Sequence, residues 1–86
     1  MSDHTTRIDL DPERIADWLM VAEGFGEAAV GLVGELHGVR RDPTRHMLGR
    51  ASKAARIVEA RLTGSQQMVA NALAGQIEDA AARPSE

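Results

Sequence analysis

One apolar repeat between residues 11 and 39 constrains the fold of this chain more than any other feature. Its apolar residues follow one another in alternating steps of three and four, the spacing of a helix that packs along its length against other helices. Trp18 and Phe25, the only aromatic residues of the chain, both belong to it. The sequence therefore predicts an all-α protein organised around one long helix, residues 12–37. The repeat consists of Ile15, Trp18, Ala22, Phe25, Ala29, Leu32, Leu36 and Val39.

Four local signals agree on where this helix starts. Asp11 is a good N-cap, because its carboxylate can accept hydrogen bonds from free amides of the first turn. Pro12 suits the first helical position and Glu13 favours the positive end of the helix dipole. Leu10 and Ile15 stand at the two positions of a hydrophobic staple. The helix is expected to begin directly after Asp11.

The apolar surface of this helix is wider than a single seam. Leu19, Met20 and Val21 flank Trp18, and Val30 and Val33 flank Leu32. A chain of 86 residues buries only a modest fraction of its surface, so part of this surface is predicted to meet another protein. The function predicted from it is non-enzymatic assembly of a homo- or hetero-oligomeric helical bundle, most simply a dimer. The predicted packing and interface residues are Trp18, Leu19, Val21, Phe25, Val30, Leu32, Val33 and Leu36.

Glycines inside the predicted helix need a physical reason. Gly24, Gly26, Gly31 and Gly34 each cost about 1 kcal/mol relative to Ala in an exposed helix interior. Close packing against a neighbouring backbone is the expected reason. A kink around residues 24–26 is the alternative.

A second helix is predicted at residues 43–62. Gly38 is expected to end the first helix in a left-handed conformation. Asp42 and Pro43 repeat the cap and first-position proline seen at residues 11 and 12. The short connection favours an antiparallel helical hairpin. The apolar stripe of this helix is Leu48, Ala51, Ala55, Val58 and Leu62.

A third helix at residues 65–82 is predicted if Gly64 interrupts the second. The apolar phase also survives across Gly64 with one slip, so a continuous helix is the alternative; a break or bend is favoured. Pro84 is expected to end the helix. The chain is then one small helical domain, 1–86, with mobile segments at 1–7 and 84–86.

Charge is distributed unevenly along the chain. Acidic residues outnumber basic ones in residues 1–36, and basic residues dominate residues 37–61. The two parts can pair within the chain, or the basic segment 40–61 can contact an anionic partner such as nucleic acid. Residues 60–75 are a poor helix-turn-helix, because the would-be reading helix carries no cation. The possible anionic-partner contacts are Arg40, Arg41, Arg45, Arg50, Lys53 and Arg56.

No catalytic constellation is present in the sequence. His37 and His46, with Asp42 between them, form a thin metal-site pattern, and exposed loop histidines are the commoner explanation of such a pattern. The chain contains no Cys, so a thiolate site is excluded. We expect neither an enzyme nor a bound metal or cofactor.

The cellular compartment is predicted from the lack of membrane-span and signal-peptide patterns in the sequence. No run approaches the roughly 20 apolar residues of a membrane span, and residues 1–6 lack the pattern of a cleavable signal peptide. A cytoplasmic protein is expected. A protein exported without a signal peptide would have the same sequence pattern.

The opening of the first helix, Ile8-Asp9-Leu10-Asp11-Pro12-Glu13-Arg14-Ile15, resembles the start of small actinobacterial type VII secretion proteins, the W-x-G family and its EspC-like relatives. That resemblance implies a helical hairpin that pairs with a second hairpin, and export without a classical signal peptide. It covers the helix opening and the general build only. The Trp-x-Gly turn and the Tyr-containing export motif of that family are absent, so no functional residue is carried over.

Overall fold

A computed structural model describes residues 8–82, and most of these residues are helical. Helix α1 spans Pro12–Glu23, a short 3-10 helix spans Gly26–Ala29, and α2 spans Val30–Arg41. Helix α3 spans Arg45–Arg61 and α4 spans Gly64–Ala82. The all-α prediction is confirmed. The predicted mobile segments, 1–7 and 84–86, lie outside the described residues.

The predicted start of the first helix is confirmed. The Asp11 carboxylate accepts a hydrogen bond from the Glu13 amide at 3.0 Å, and Pro12 is the first residue of α1. Ile15 is buried, and Leu10 packs against the same core. The signals for this start are local in sequence, so the rest of the fold is not needed to produce them.

The prediction of one helix over residues 12–37 is wrong. The chain leaves the α-helix after Glu23, and the 3-10 helix separates α1 from α2. Gly26 has a positive φ of 69°, a conformation that a residue with a Cβ adopts only at a cost. The structure therefore has the kink that the sequence offered as the alternative. Close packing does not explain Gly31 or Gly34, because a Cβ added at either would meet no atom within 4 Å.

The predicted end of this segment at Gly38 is also wrong, since α2 continues to Arg41. Gly38 keeps a helical conformation and is buried. A Cβ built there would lie 2.5 Å from the terminal methyl carbon of Met47, so at this position the small residue admits a neighbouring side chain. Packing between α2 and the start of α3, rather than a turn, accounts for this glycine.

Helix α3 begins two residues later than predicted, and its cap is Thr44 rather than Asp42. The Thr44 hydroxyl accepts a hydrogen bond from the Met47 amide at 3.2 Å. Asp42 instead terminates α2, with its amide bonded to the carbonyl of Gly38 at 2.9 Å. It precedes Pro43, and a residue before proline is driven away from the helical conformation.

The predicted break near Gly64 is confirmed. Helix α3 ends at Arg61, Leu62 is extended, and α4 begins at Gly64 with a positive φ of 63°. Two residues are enough for the reversal, and α3 and α4 then form the most extensive helix contact of the molecule.

The order of helix contacts decides which faces remain open. α2 packs on both α1 and α3, whereas α1 touches α4 over only a few residues. No Cα of α1 lies within 8 Å of α3, and the same holds for α2 and α4. α1 and α3 therefore occupy opposite corners of the helix arrangement. The fully buried helical residues at its centre include Trp18, Ala22, Ala29, Leu32, Leu36, Val39, Leu48, Ala51, Ala55, Ala70, Ala74, Ile77 and Ala80.

The helices of residues 8–82 include no candidate membrane span. None of them combines the length and the apolar composition that a span through a bilayer requires.

Candidate interaction surfaces

The structure places most of the predicted interface residues inside their own chain. Helices α2 and α4 of the same chain bury apolar residues that were predicted to contact a partner protein. What stays open of the broad apolar surface lies mainly at Met20, Val21 and Val30. Trp18, Leu19, Leu32 and Leu36 are buried, Phe25 and Val33 are partly buried against the core, and Val21 and Val30 are exposed.

Trp18 is a core residue with its polar edge satisfied. Its indole nitrogen donates a hydrogen bond to the side-chain oxygen of Gln76 at 3.0 Å, and only 2% of the residue is exposed. The guanidinium carbon of Arg14 lies 5.6 Å from the ring centroid, within the range of a cation–π contact. A side chain held in this way cannot serve as an exposed anchor without opening the core.

A groove of about 270 Å³ runs between α1 and α4, where these two helices barely meet. Trp18 and Leu73 are its buried apolar lining, and Asp17 is its one charged lining residue. Val21 of α1 and Val69 of α4 remain 37% and 47% exposed. The other lining residues are Ala72 and Gln76. An apolar side chain from another helix fits the chemistry of this groove.

The outward surface of α4 beside this groove carries no charge. From residue 63 to residue 77 the sequence contains no Asp, Glu, Lys, Arg or His, although 27% of the chain is charged. Loss of charged residues distinguishes the core of a protein interface from ordinary surface. We call the following exposed residues, which recur at helical spacing, the neutral face of α4: Ser65, Met68, Val69, Ala72 and Gln76.

Two of the predicted anionic-partner residues are engaged in ion pairs. Arg50 contacts Glu35 of α2 at 3.2 Å. Arg56 contacts Glu78 of α4 at 2.7 Å and Glu59 at 2.9 Å. Hydrogen bonding to Arg56 lowers the pKa of Glu78, and the same bonds raise the pKa of Arg56. Charge pairing within the chain thus reaches α2 and α4, while none of the contacts described for α1 involves this basic segment.

The other four predicted cations lie in separate places. Arg40 and Arg41 are exposed in the last turn of α2 and, with His37, border an open depression of about 590 Å³. Cations there complement the negative end of the helix dipole, which is sufficient to explain them. Arg45 is partly buried in the first turn of α3, and Lys53 is exposed on its outer side. Two of the six residues thus lie on α2 and four on α3.

The two histidines of the thin metal pattern are both exposed, His37 on α2 and His46 on α3. Within residues 8–82 no group of three or more His, Cys, Asp or Glu residues is placed to hold a metal ion.

Three exposed apolar residues are not anticipated by the sequence: Met68, Val69, which the helical pattern places on the inward side of the third helix, and Ile57. The signal for the first two was present, because the charge-free run around them is visible in the sequence. In the sequence alone, this charge-free run argues only against DNA binding by the helix.

Comparison of this chain with protein-family models, with curated proteins and with solved structures gave no match.

Proposed function

We propose that this protein is a non-enzymatic interaction module that assembles into a larger helical bundle with a second copy of itself. The neutral face of α4 and the adjoining α1–α4 groove form the contact. The observation that carries the proposal is the combination of exposed Met68 and Val69 with a charge-free helix face beside an open apolar groove. Such a combination is rare on surfaces that only face water.

The lack of charge on this face is compatible with a second copy as the partner. In a two-fold contact the same patch of both subunits meets, so a charged patch would face like charge. The outer side of α1 carries Glu13, Asp17 and Glu23, and the outer side of α3 is basic. The neutral face of α4 can meet its own copy without this repulsion.

The strength of the contact follows from the residues it covers. Full burial of an exposed apolar side chain contributes about 1.5–3 kcal/mol, which is an upper bound for the partly covered Met68, Val69 and Val21, and a two-fold contact buries each one twice. Loss of rotational and translational freedom opposes association by several kcal/mol. We therefore expect a reversible dimer with a dissociation constant in roughly the micromolar range.

Light scattering coupled to size-exclusion chromatography over a range of concentrations tests this proposal. The wild-type protein is expected to change from monomer to dimer with rising concentration, and V69D is expected to remain monomeric. V30D is the matched control, because Val30 is 66% exposed and lies outside the groove. Circular dichroism establishes that both variants stay helical. A wild-type protein that stays monomeric throughout, or a V30D variant that loses the dimer equally, would overturn the proposal.

A paired small helical protein is the heteromeric version of the same proposal. The resemblance of residues 8–15 to type VII secretion proteins supports it and adds export without a signal peptide. Its test is the detection of the chain in the medium of its native host, with and without a functional secretion ATPase. Retention of the protein in the cytoplasm under both conditions would remove the secretion role.

The nucleic-acid regulator stays a prediction with weaker support. Arg56 is bound to two carboxylates, and Arg40 and Arg41 lie on α2 rather than on α3 with the other cations of segment 40–61. A salt-dependent increase in anisotropy of labelled duplex DNA at low ionic strength would support it, and no binding under those conditions would remove it.

A further inference from the structure

We infer that the outer side of α3 is a second docking surface, suited to an acidic amphipathic helix of a partner protein. It is independent of the neutral face of α4 and of the dimer proposed above. The surface follows one line of the helix, with steps of three and four residues, and lies opposite the buried side of α3. We call these exposed residues the basic face of α3: Arg50, Lys53, Ile57 and Arg61.

Most of the charge of this face is unpaired within residues 8–82. Lys53 and Arg61 make no ion pair or hydrogen bond through their side chains within the part of the chain that the structure describes. The Arg50 side chain touches Glu35 but remains 56% exposed. The one carboxylate of α3, Glu59, is paired with Arg56. The acidic helix α1 cannot compensate, because it does not reach α3.

An apolar residue stands in the middle of this basic face. Ile57 is 56% exposed, with Lys53 one turn before it and Arg61 one turn after it. A depression of about 470 Å³ lies against Ile57 and is bounded by Ser52, Lys53 and the Arg56–Glu78 ion pair. A partner that covered only the cations would leave Ile57 and this depression in water.

These features favour a protein helix over a nucleic acid. A helix with carboxylates three or four residues from an apolar side chain can pair with Lys53 and Arg61 while its apolar residue covers Ile57. A phosphate backbone gains little from covering an isoleucine. The aromatic residues that could stack on bases are buried at Trp18 and partly buried at Phe25.

Fluorescence anisotropy with three labelled probes tests the inference. The first is a synthetic helical peptide in which leucine is flanked by glutamates at helical spacing. The second is the same peptide with serine in place of leucine, and the third is a short DNA duplex. The first peptide is expected to bind. I57S is expected to weaken this binding roughly tenfold or more, because the variant loses the burial of one isoleucine side chain. K53E is expected to weaken it as well.

V30S is the matched control, because it changes another exposed apolar residue on a different helix. V69D leaves the basic face intact and is expected to bind the peptide normally, whatever its effect on dimerisation. Absence of peptide binding, equal binding of the leucine and serine peptides, or tighter binding of DNA than of the peptide would each overturn the inference. Ile57 is exposed, so I57S is expected to fold, and circular dichroism establishes this.

Discussion

The indole nitrogen of Trp18 and the side-chain oxygen of Gln76 form a 3.0 Å hydrogen bond between α1 and α4. These two helices otherwise meet over only a few residues. The bond joins residues 58 positions apart in sequence, and it satisfies the polar edge of the largest core side chain. It is a polar link across the side of the molecule where packing is thinnest.

Removal of this bond is expected to destabilise the protein. Q76A leaves the buried Trp18 N–H without its partner, which costs about 1–3 kcal/mol of unfolding free energy. Urea unfolding followed by fluorescence measures the loss, because Trp18 is the only tryptophan of the chain. Q66A is the control, since Gln66 is exposed on the same helix. An unfolding midpoint of Q76A equal to that of Q66A would show that the bond contributes nothing.

Thr44, rather than Asp42, is expected to be the energetically important cap of α3. T44A removes the hydroxyl that accepts the Met47 amide, and loss of an N-cap costs about 0.5–2 kcal/mol. T44S keeps an acceptor at the same place and is expected to retain most of the stability. Thermal or urea unfolding of the two variants distinguishes them. Equal destabilisation by T44A and T44S would assign the effect to the lost methyl group instead.

Two glycines are expected to respond in opposite directions to alanine. G34A adds a methyl group that meets nothing within 4 Å in the interior of α2, so a gain of up to about 1 kcal/mol is expected. G26A places a Cβ on a residue with φ of 69°, and a loss of about 1–2 kcal/mol is expected. Urea unfolding midpoints should therefore lie on either side of the wild-type value. A stable G26A would mean that the kink between α1 and α2 can relax.

The Arg56–Glu78 pair is expected to make a small, pH-dependent contribution to stability. Its hydrogen bond to Arg56 lowers the pKa of Glu78 from the ordinary 4.5, so the carboxylate is more readily charged in the folded state. A lowered pKa stabilises the fold above the unfolded value of 4.5, and this stabilisation disappears as the pH falls through the folded pKa. The stability difference between wild type and E78Q should thus be present at neutral pH and vanish in acid.

Because both partners are exposed to solvent, salt is expected to weaken the same contribution. D79N is the control, since Asp79 is exposed next to Glu78 and makes no ion pair within residues 8–82. A difference between wild type and E78Q that persists unchanged in acid would point to packing of the side chain rather than to its charge.

Local signals in this sequence predicted local structure well. The cap at Asp11 and the break near Gly64 depend on residues next to each other, and both are confirmed. The motif at Asp42 and Pro43 resembles the first cap but does not act as one, because Asp42 already terminates α2. The role of Gly38 inside α2 depends on its contact with Met47, which is unknown until α3 has a position.

The candidate surfaces were harder to predict because burial depends on the position of distant helices. Periodicity identified Trp18 and Leu32 as apolar positions, but it could not show that the fold covers them. It also could not distinguish Val21, which borders a groove, from Leu19, which is buried. The charge-free run in α4 is visible in the sequence. Its interpretation as an interaction surface requires the structure, which shows that this side of α4 faces outward.

The thin contact between α1 and α4 also has a consequence for local unfolding. α1 is anchored chiefly on α2, and the chain between them passes through the 3-10 segment that contains Gly26. Detaching α1 from the remaining helices therefore disrupts much less packing than separating α3 from α4. Amide protons of α1 are expected to exchange with deuterated solvent before those of α3 and α4, in a cooperative opening well below the global unfolding energy. Such an opening would release the helix that carries the only tryptophan, and it offers two copies a route to swap their first helices.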